Sequence, residues 1–131
     1  MLAVDTNVIV RLLTGDDARQ SRAAQTLFAS DEIWIAKTVL LETEWVLRSL
    51  YGFQRPEVLT ALMRLLGMEN VTVEDEHSVA AAMALTSHGI DFADAIHLTG
   101  RPARARFISF DKSFVNRAKR AGVLAVSTGS A

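Results

Sequence analysis

The chain has 131 residues, half of them apolar, a formal net charge of −1 and no cysteine. Length and apolar content support one folded domain, residues 1–131, with a real core, and exclude a disordered chain. Disulfides and thiolate metal sites are excluded, and His77, His88 and His97 lack the spacing of a zinc motif. No stretch approaches a membrane span and no charged leader precedes the first apolar run, so a cytoplasmic protein is expected.

In chain order, residues 2–4 read as a strand and residues 16–30 as a helix. A strand at 33–36 precedes helices at 37–51 and 56–67. A strand at 71–73 precedes helices at 75–88 and 91–99. Strands at 106–109 and 123–126 flank a helix at 112–121, and the closing "STGSA" is expected to fray. The strands are short Val- and Ile-rich runs without polar alternation, which suits a parallel sheet covered on both faces. Alternating strands and helices predict an α/β fold with right-handed crossovers. Gly52, Gly67, Gly89, Gly100 and Gly122 follow the helices, where glycine favours termination, and Pro56 suits a first helical turn.

Four acids stand against apolar segments: Asp5 in "MLAVDTNVIV", Glu42 in "VLLETEWVL", Asp94 in "IDFADAIHL" and Asp111 in "RFISFDKSF". A carboxylate there is costly unless compensated, and several together repel. A divalent cation is the simplest compensation, since hard cations take oxygen ligands. Asp5 follows the first strand and Asp111 the fourth, which puts both at the carboxyl edge of one sheet, where α/β folds bind ligands. Glu42 projects from a stripe with Val39, Trp45 and Val46, whereas Glu44 has Arg48 four residues on and reads as a solvent-exposed ion pair. Asp91 is the natural N-cap of "DFADAIHL" or an additional acidic group, and Asp94 lies between Ala93 and Ala95. Thr6, Asn7 and Ser109 are polar neighbours able to orient the acids or a water. Trp45, Tyr51 and the phenylalanines read as core.

Charge is uneven. Residues 1–94 carry 14 acids and 7 bases, whereas residues 95–131 carry one acid, Asp111, and seven bases, among them Arg101, Arg104, Arg106 and Lys112. An acidic centre beside a basic rim suits a polyanion whose scissile phosphate must reach a metal.

These residues, in this order, resemble a PIN domain, and specifically the VapC-type toxins of bacterial toxin–antitoxin pairs. The resemblance covers nearly the whole chain and rests on "VDTNVIVRLL", "LLETEWVLRSLYG", "DFADAIHL" and "FISFDKSF". It implies a three-layer α/β/α sandwich with a central parallel sheet of order 3-2-1-4-5. It places Asp5, Glu42, Asp94 and Asp111 in the acidic positions, as catalytic residues and ligands of Mg²⁺ or Mn²⁺. Asp91, Thr6 or Asn7, and Ser109 would support them, Ser109 standing where the family commonly has threonine. It further implies RNA cleavage, a homodimer and a cognate antitoxin whose peptide, often bearing arginine, crosses the acidic site.

The expected chemistry is phosphodiester hydrolysis by a water that the cation acidifies, leaving 5′-phosphate and 3′-hydroxyl ends. The segment 101–120 would hold the RNA backbone. Two alternatives stand beside this reading. A phosphatase with Asp5 as covalent nucleophile would want a second aspartate where Asn7 lies. A catalytically inactive PIN domain that binds RNA or protein would be expected to have lost acids that this chain keeps.

Overall fold

Among the described residues, five strands are separated by seven helices, and every strand pairing is parallel. The structure, a computed structural model, describes residues 1–129. It divides into two compact units, Met1–Glu76 and His77–Ala131.

In the first unit, β1 (Leu2–Ala3), β2 (Ile33–Ile35) and β3 (Val71–Val73) form one sheet in that spatial order. Leu2 lies opposite Ile33, and Ile33 opposite Val71. Parallel neighbours need long crossovers, and helices supply them: α1 (Thr6–Thr14) and α2 (Ala18–Ser30) join β1 to β2, and α3 (Lys37–Ser49) and α4 (Arg55–Leu66) join β2 to β3. Ile9, Ile33, Ile35, Leu40, Leu62 and Phe28 are buried and supply much of this unit's core. In β3 only Val71 and Val73 are buried and Thr72 is exposed, so that strand is not covered on both faces as its composition suggested.

In the second unit, α5 (Glu76–Thr86), which begins at the boundary, and α6 (Phe92–Thr99) precede β4 (Phe107–Ser109), α7 (Lys112–Arg120) and β5 (Val126–Thr128). β4 pairs with β5, Phe107 opposite Val126. Phe92, Val79, Ile90, Leu98 and Val115 are buried.

The expected single sheet of order 3-2-1-4-5 is not formed. The pairings make a three-stranded sheet, β1-β2-β3, and a separate two-stranded sheet, β4-β5. β1 spans two residues, and the ladder bonds it makes are to the β2 segment: the Leu2 amide donates to Glu32 and the Val4 amide to Trp34. Asp5 and Asp111 therefore follow strands of different sheets and do not share one sheet edge.

The last strand also lies later than expected. Val123, expected to start the strand, closes α7 instead, donating to Ala118, and Gly122 before it, at φ 96°, donates to Lys119. Within the segment expected to fray, Ser127 and Thr128 pair with Ile108 and Ser109, while residues 130 and 131 fall outside the described residues.

Candidate active site

α1 starts where it does because Asp5 has extended backbone and caps it, its Oδ1 accepting from the Thr6 amide at 2.7 Å. Gly15, at φ 65°, ends the helix in a left-handed conformation that glycine adopts without strain. α3 packs against α1. The two helices and their ends line an open cavity of about 340 Å³, with Asp5, Thr6, Asn7, Val10 and Arg11 from the α1 side and Glu42, Val46, Leu50 and Tyr51 from the α3 side. The spacing explains the lining. Asn7, Val10 and Arg11 recur at three and four residues along α1, and Glu42, Val46 and Leu50 every four along α3.

Thr6 ties the two acids together. It is buried, its amide donates to Asp5, and its hydroxyl donates to Glu42 Oε1 in a short hydrogen bond. Both carboxylates lie on exposed residues, so they reach the solvent of the cavity while one buried residue, through its amide and its hydroxyl, ties them together. A hydroxyl aimed at a carboxylate holds it in one orientation, which a cation ligand requires.

A second polar network runs from Arg11 and Tyr51 on the cavity wall to Asp16 outside it. The Arg11 guanidinium donates from Nη1 to Asp16 at 3.0 Å and to the Tyr51 hydroxyl at 2.9 Å, and from Nε to Gln20 at 2.7 Å. The Tyr51 hydroxyl donates to Asp16 Oδ2 at 2.6 Å, and Thr14 donates to Asp16 Oδ1 at 2.8 Å. The hydroxyls of Tyr51 and then Thr14, with the charge of Arg11, hold the Asp16 carboxyl below its ordinary value. Desolvation alone would lower the Arg11 value, but the Asp16 charge and the Tyr51 hydroxyl outweigh it and the value is raised.

Asp91 caps α6, accepting from the Ala93 amide at 3.2 Å, and Asp94 is half-buried in the first turn of that helix. Asp111 caps α7 through the Phe114 amide at 3.0 Å, while its own amide donates to the Ser109 hydroxyl at 3.1 Å. The structure thus brings together Asp5, Thr6, Asn7 and Glu42 in the first unit, and Ser109 with Asp111 in the second. Among the described residues, no cluster of three or more acidic or histidine side chains is poised to hold a metal. Arg101 spends its guanidinium on the carbonyls of Leu98 and Ala105, at 2.7 and 2.8 Å, whereas Arg104, Arg106 and Lys112 are exposed.

Several readings of individual residues change. Glu44 is 6% exposed, and its ion pair with Arg48 is a bidentate, largely buried one, not a surface pair. Trp45 is 52% and Phe110 70% exposed, so neither is core. Tyr51 lies on the cavity, with a stacked Phe53 behind it. Sequence alone gives Arg11 no role and makes Tyr51 a core residue, whereas both line the cavity. The signal for Arg11 was its place one helical turn after Asn7; Tyr51, just beyond the end of α3, gave none.

The cavity that holds Asp5 and Glu42 opens beyond the carboxyl end of β1, the place where α/β folds bind ligands. The PIN domain family model matches residues 2–120, and the chain belongs to that family. PIN domains are generally metal-dependent nucleases. No curated protein and no solved structure matches the chain. No helix among the described residues is long and apolar enough to cross a membrane.

Proposed function

We propose that the chain is a divalent-metal-dependent endoribonuclease that hydrolyses RNA phosphodiesters and serves as the toxin of a toxin–antitoxin pair, inhibiting translation and growth. The observation that carries this reading is the pair of carboxylates, Asp5 and Glu42, on one open cavity and bridged by Thr6. The donor set fits the group. Mg²⁺ keeps several waters and is commonly held by one or two carboxylates together with substrate phosphate. Two fixed carboxylates beside open space are therefore an adequate protein share, and Mn²⁺ suits the same oxygen ligands.

When bound, such a cation acidifies a water and offsets charge gathering on the phosphate. The chain's residues supply the rest. Asp5 and Glu42 hold the cation, Thr6 fixes both carboxylates, and Asn7 presents an amide to the cavity for orienting a water or a phosphate oxygen. Asp94 and Asp111, with Asp91 and Ser109 in support, are assigned to the same chemistry on the order of the acidic motifs along the chain. Exposed Arg104, Arg106 and Lys112 suit the RNA backbone. The acidic cavity would also accept a basic peptide of an antitoxin, and the active form is proposed to be a cytoplasmic homodimer.

The test is incubation of purified protein with total tRNA and rRNA in Mg²⁺, Mn²⁺ or EDTA, beside Asp5→Asn, together with growth of cells expressing each form. Discrete metal-dependent fragments with 5′-phosphates, and growth arrest, both absent in the variant, are expected. Equal cleavage by the variant would remove Asp5 from the chemistry. Tight RNA binding without cleavage would favour an inactive binding module.

A further inference from the structure

We infer that the apolar end of the α1–α3 cavity is a stacking subsite for one unpaired nucleobase next to the scissile phosphate, with the Tyr51 ring as its platform. The inference rests on the reading of the Asp5–Glu42 end as the place where a phosphodiester is cleaved, and it names the substrate feature that this end would recognise.

The cavity changes character along α3. Glu42 contributes a carboxylate, and one and two turns on, Val46 and Leu50 contribute apolar side chains, followed by Tyr51. Leu50, the C-cap of α3, lies eight positions after Glu42, a rise of about 12 Å. Leu50 is 69% exposed, an apolar group left open to solvent beside a ring. A phosphate at the acidic end would bring a neighbouring nucleoside over this surface. The volume of about 340 Å³ lies within the range of small-ligand sites.

Tyr51 is held as a platform must be. Its hydroxyl accepts from Arg11 and donates to Asp16, which anchors the rim of the ring. Phe53 lies parallel to it, with centroids 6.1 Å apart and an interplanar angle of 1°. A ring fixed on two sides loses little conformational freedom when a base settles on it. Because the hydroxyl is already engaged by Arg11 and Asp16, what the ring has left for a ligand is a face and not a hydrogen-bonding edge. Stacking on such a face tolerates every base but requires a base free of its own stack, which single strands and loops provide and duplexes do not.

The test uses the full chain carrying Asp5→Asn, so that RNA survives, with Mg²⁺ present and a short single-stranded RNA bearing one 2-aminopurine as the probe. Binding is expected to quench the fluorescence of the reporter. Adding Tyr51→Phe should preserve quenching and affinity, because the ring remains. Adding Tyr51→Leu should abolish quenching and weaken binding roughly ten-fold. An abasic nucleotide at the reporter position should weaken binding to the Asp5→Asn protein by the same factor without any change in fold, and should cost nothing more when Tyr51→Leu is present. A duplex of the same sequence should not quench. Quenching unchanged in the Tyr51→Leu protein, additive losses from the abasic site and Tyr51→Leu, or equal response to duplex would overturn the inference. RNA affinity indifferent to both changes would assign this face to a protein partner instead. Cleavage by the unmutated chain, run in parallel, separates the failures: cleavage without a Tyr51 effect sinks the subsite alone, and neither cleavage nor RNA binding sinks the nuclease reading as well.

Discussion

Removing the Thr6 hydroxyl should separate the fold from the chemistry. Thr6→Val keeps the shape of a buried side chain, 7% exposed, and deletes the donor to Glu42. A hydrogen bond to a charged group contributes about 1.5–3 kcal/mol, and the exposed Glu42 carboxylate can rehydrate, so the loss should sit near the lower end, about 1.5 kcal/mol. For a chain of this size that corresponds to a fall in Tm of roughly 4–6 °C. The functional cost should be larger in relative terms. A residue that orients a metal ligand typically accounts for about 10–100-fold in metal affinity or activity. Cleavage rates across an Mn²⁺ titration should show the half-saturating concentration rising, with the loss partly restored at high metal. Thr6→Ser is the control: it loses a buried methyl, about 0.8 kcal/mol, yet keeps the hydroxyl and should cleave nearly as the native chain does. A Thr6→Val protein with lowered Tm and native metal dependence would refute the coupling of Thr6 to Glu42.

Three further outcomes follow from the same geometry. Glu44→Gln breaks a pair whose side chains are 7% and 23% exposed; urea unfolding should show a loss of about 2–3 kcal/mol, and a loss under about 0.5 kcal/mol would place the pair among screened surface contacts. Asp16 has its carboxyl held low by Tyr51, Thr14 and Arg11, so its contribution is present above the unfolded value and lost as pH falls through the folded one. Melting curves of the native chain and Asp16→Asn should therefore converge below about pH 4 and separate above it. Asp111→Asn retains a good cap for α7 and removes only the charge, whereas Asp111→Ala should cost about 0.5–2 kcal/mol in stability as well; loss of cleavage in both with stability lost only in Asp111→Ala would separate a catalytic role from the capping seen here.

The elements that the sequence makes legible are those with one unambiguous period. α2, α3, α4 and α7 fall within a few residues of their expected spans because their apolar positions recur at helical spacing and their ends carry Asp17, Gly67 and Gly122. α1 is legible at its start alone, where Asp5 reads as an N-cap for a helix beginning near Asn7. Val8, Ile9, Val10, Leu12 and Leu13 form a nearly continuous apolar run. Sheet order is harder still, since it depends on which ladders close and not on local pattern; a two-residue β1 carries too little pattern to decide its partners. At the candidate site, Asp5 and Glu42 stood out because acids against apolar runs are costly. Their link through Thr6, and the wall of Arg11 and Tyr51, did not, because those side chains meet only when α1 packs on α3. The Glu44 pair was misread for a related reason: spacing of four residues predicts an ion pair but not the burial of its face.

The central claim is that Asp5 and Glu42 hold the cation that RNA cleavage needs. The most direct measurement is the cleavage rate of a defined single-stranded RNA against Mn²⁺ concentration, with end-group analysis, for the native chain, Asp5→Asn and Glu42→Gln. The account predicts saturable, EDTA-sensitive cleavage that leaves 5′-phosphates, and at least a roughly 100-fold loss in each variant. Cleavage that persists in EDTA, or that either variant carries out at the native rate and metal concentration, would contradict it.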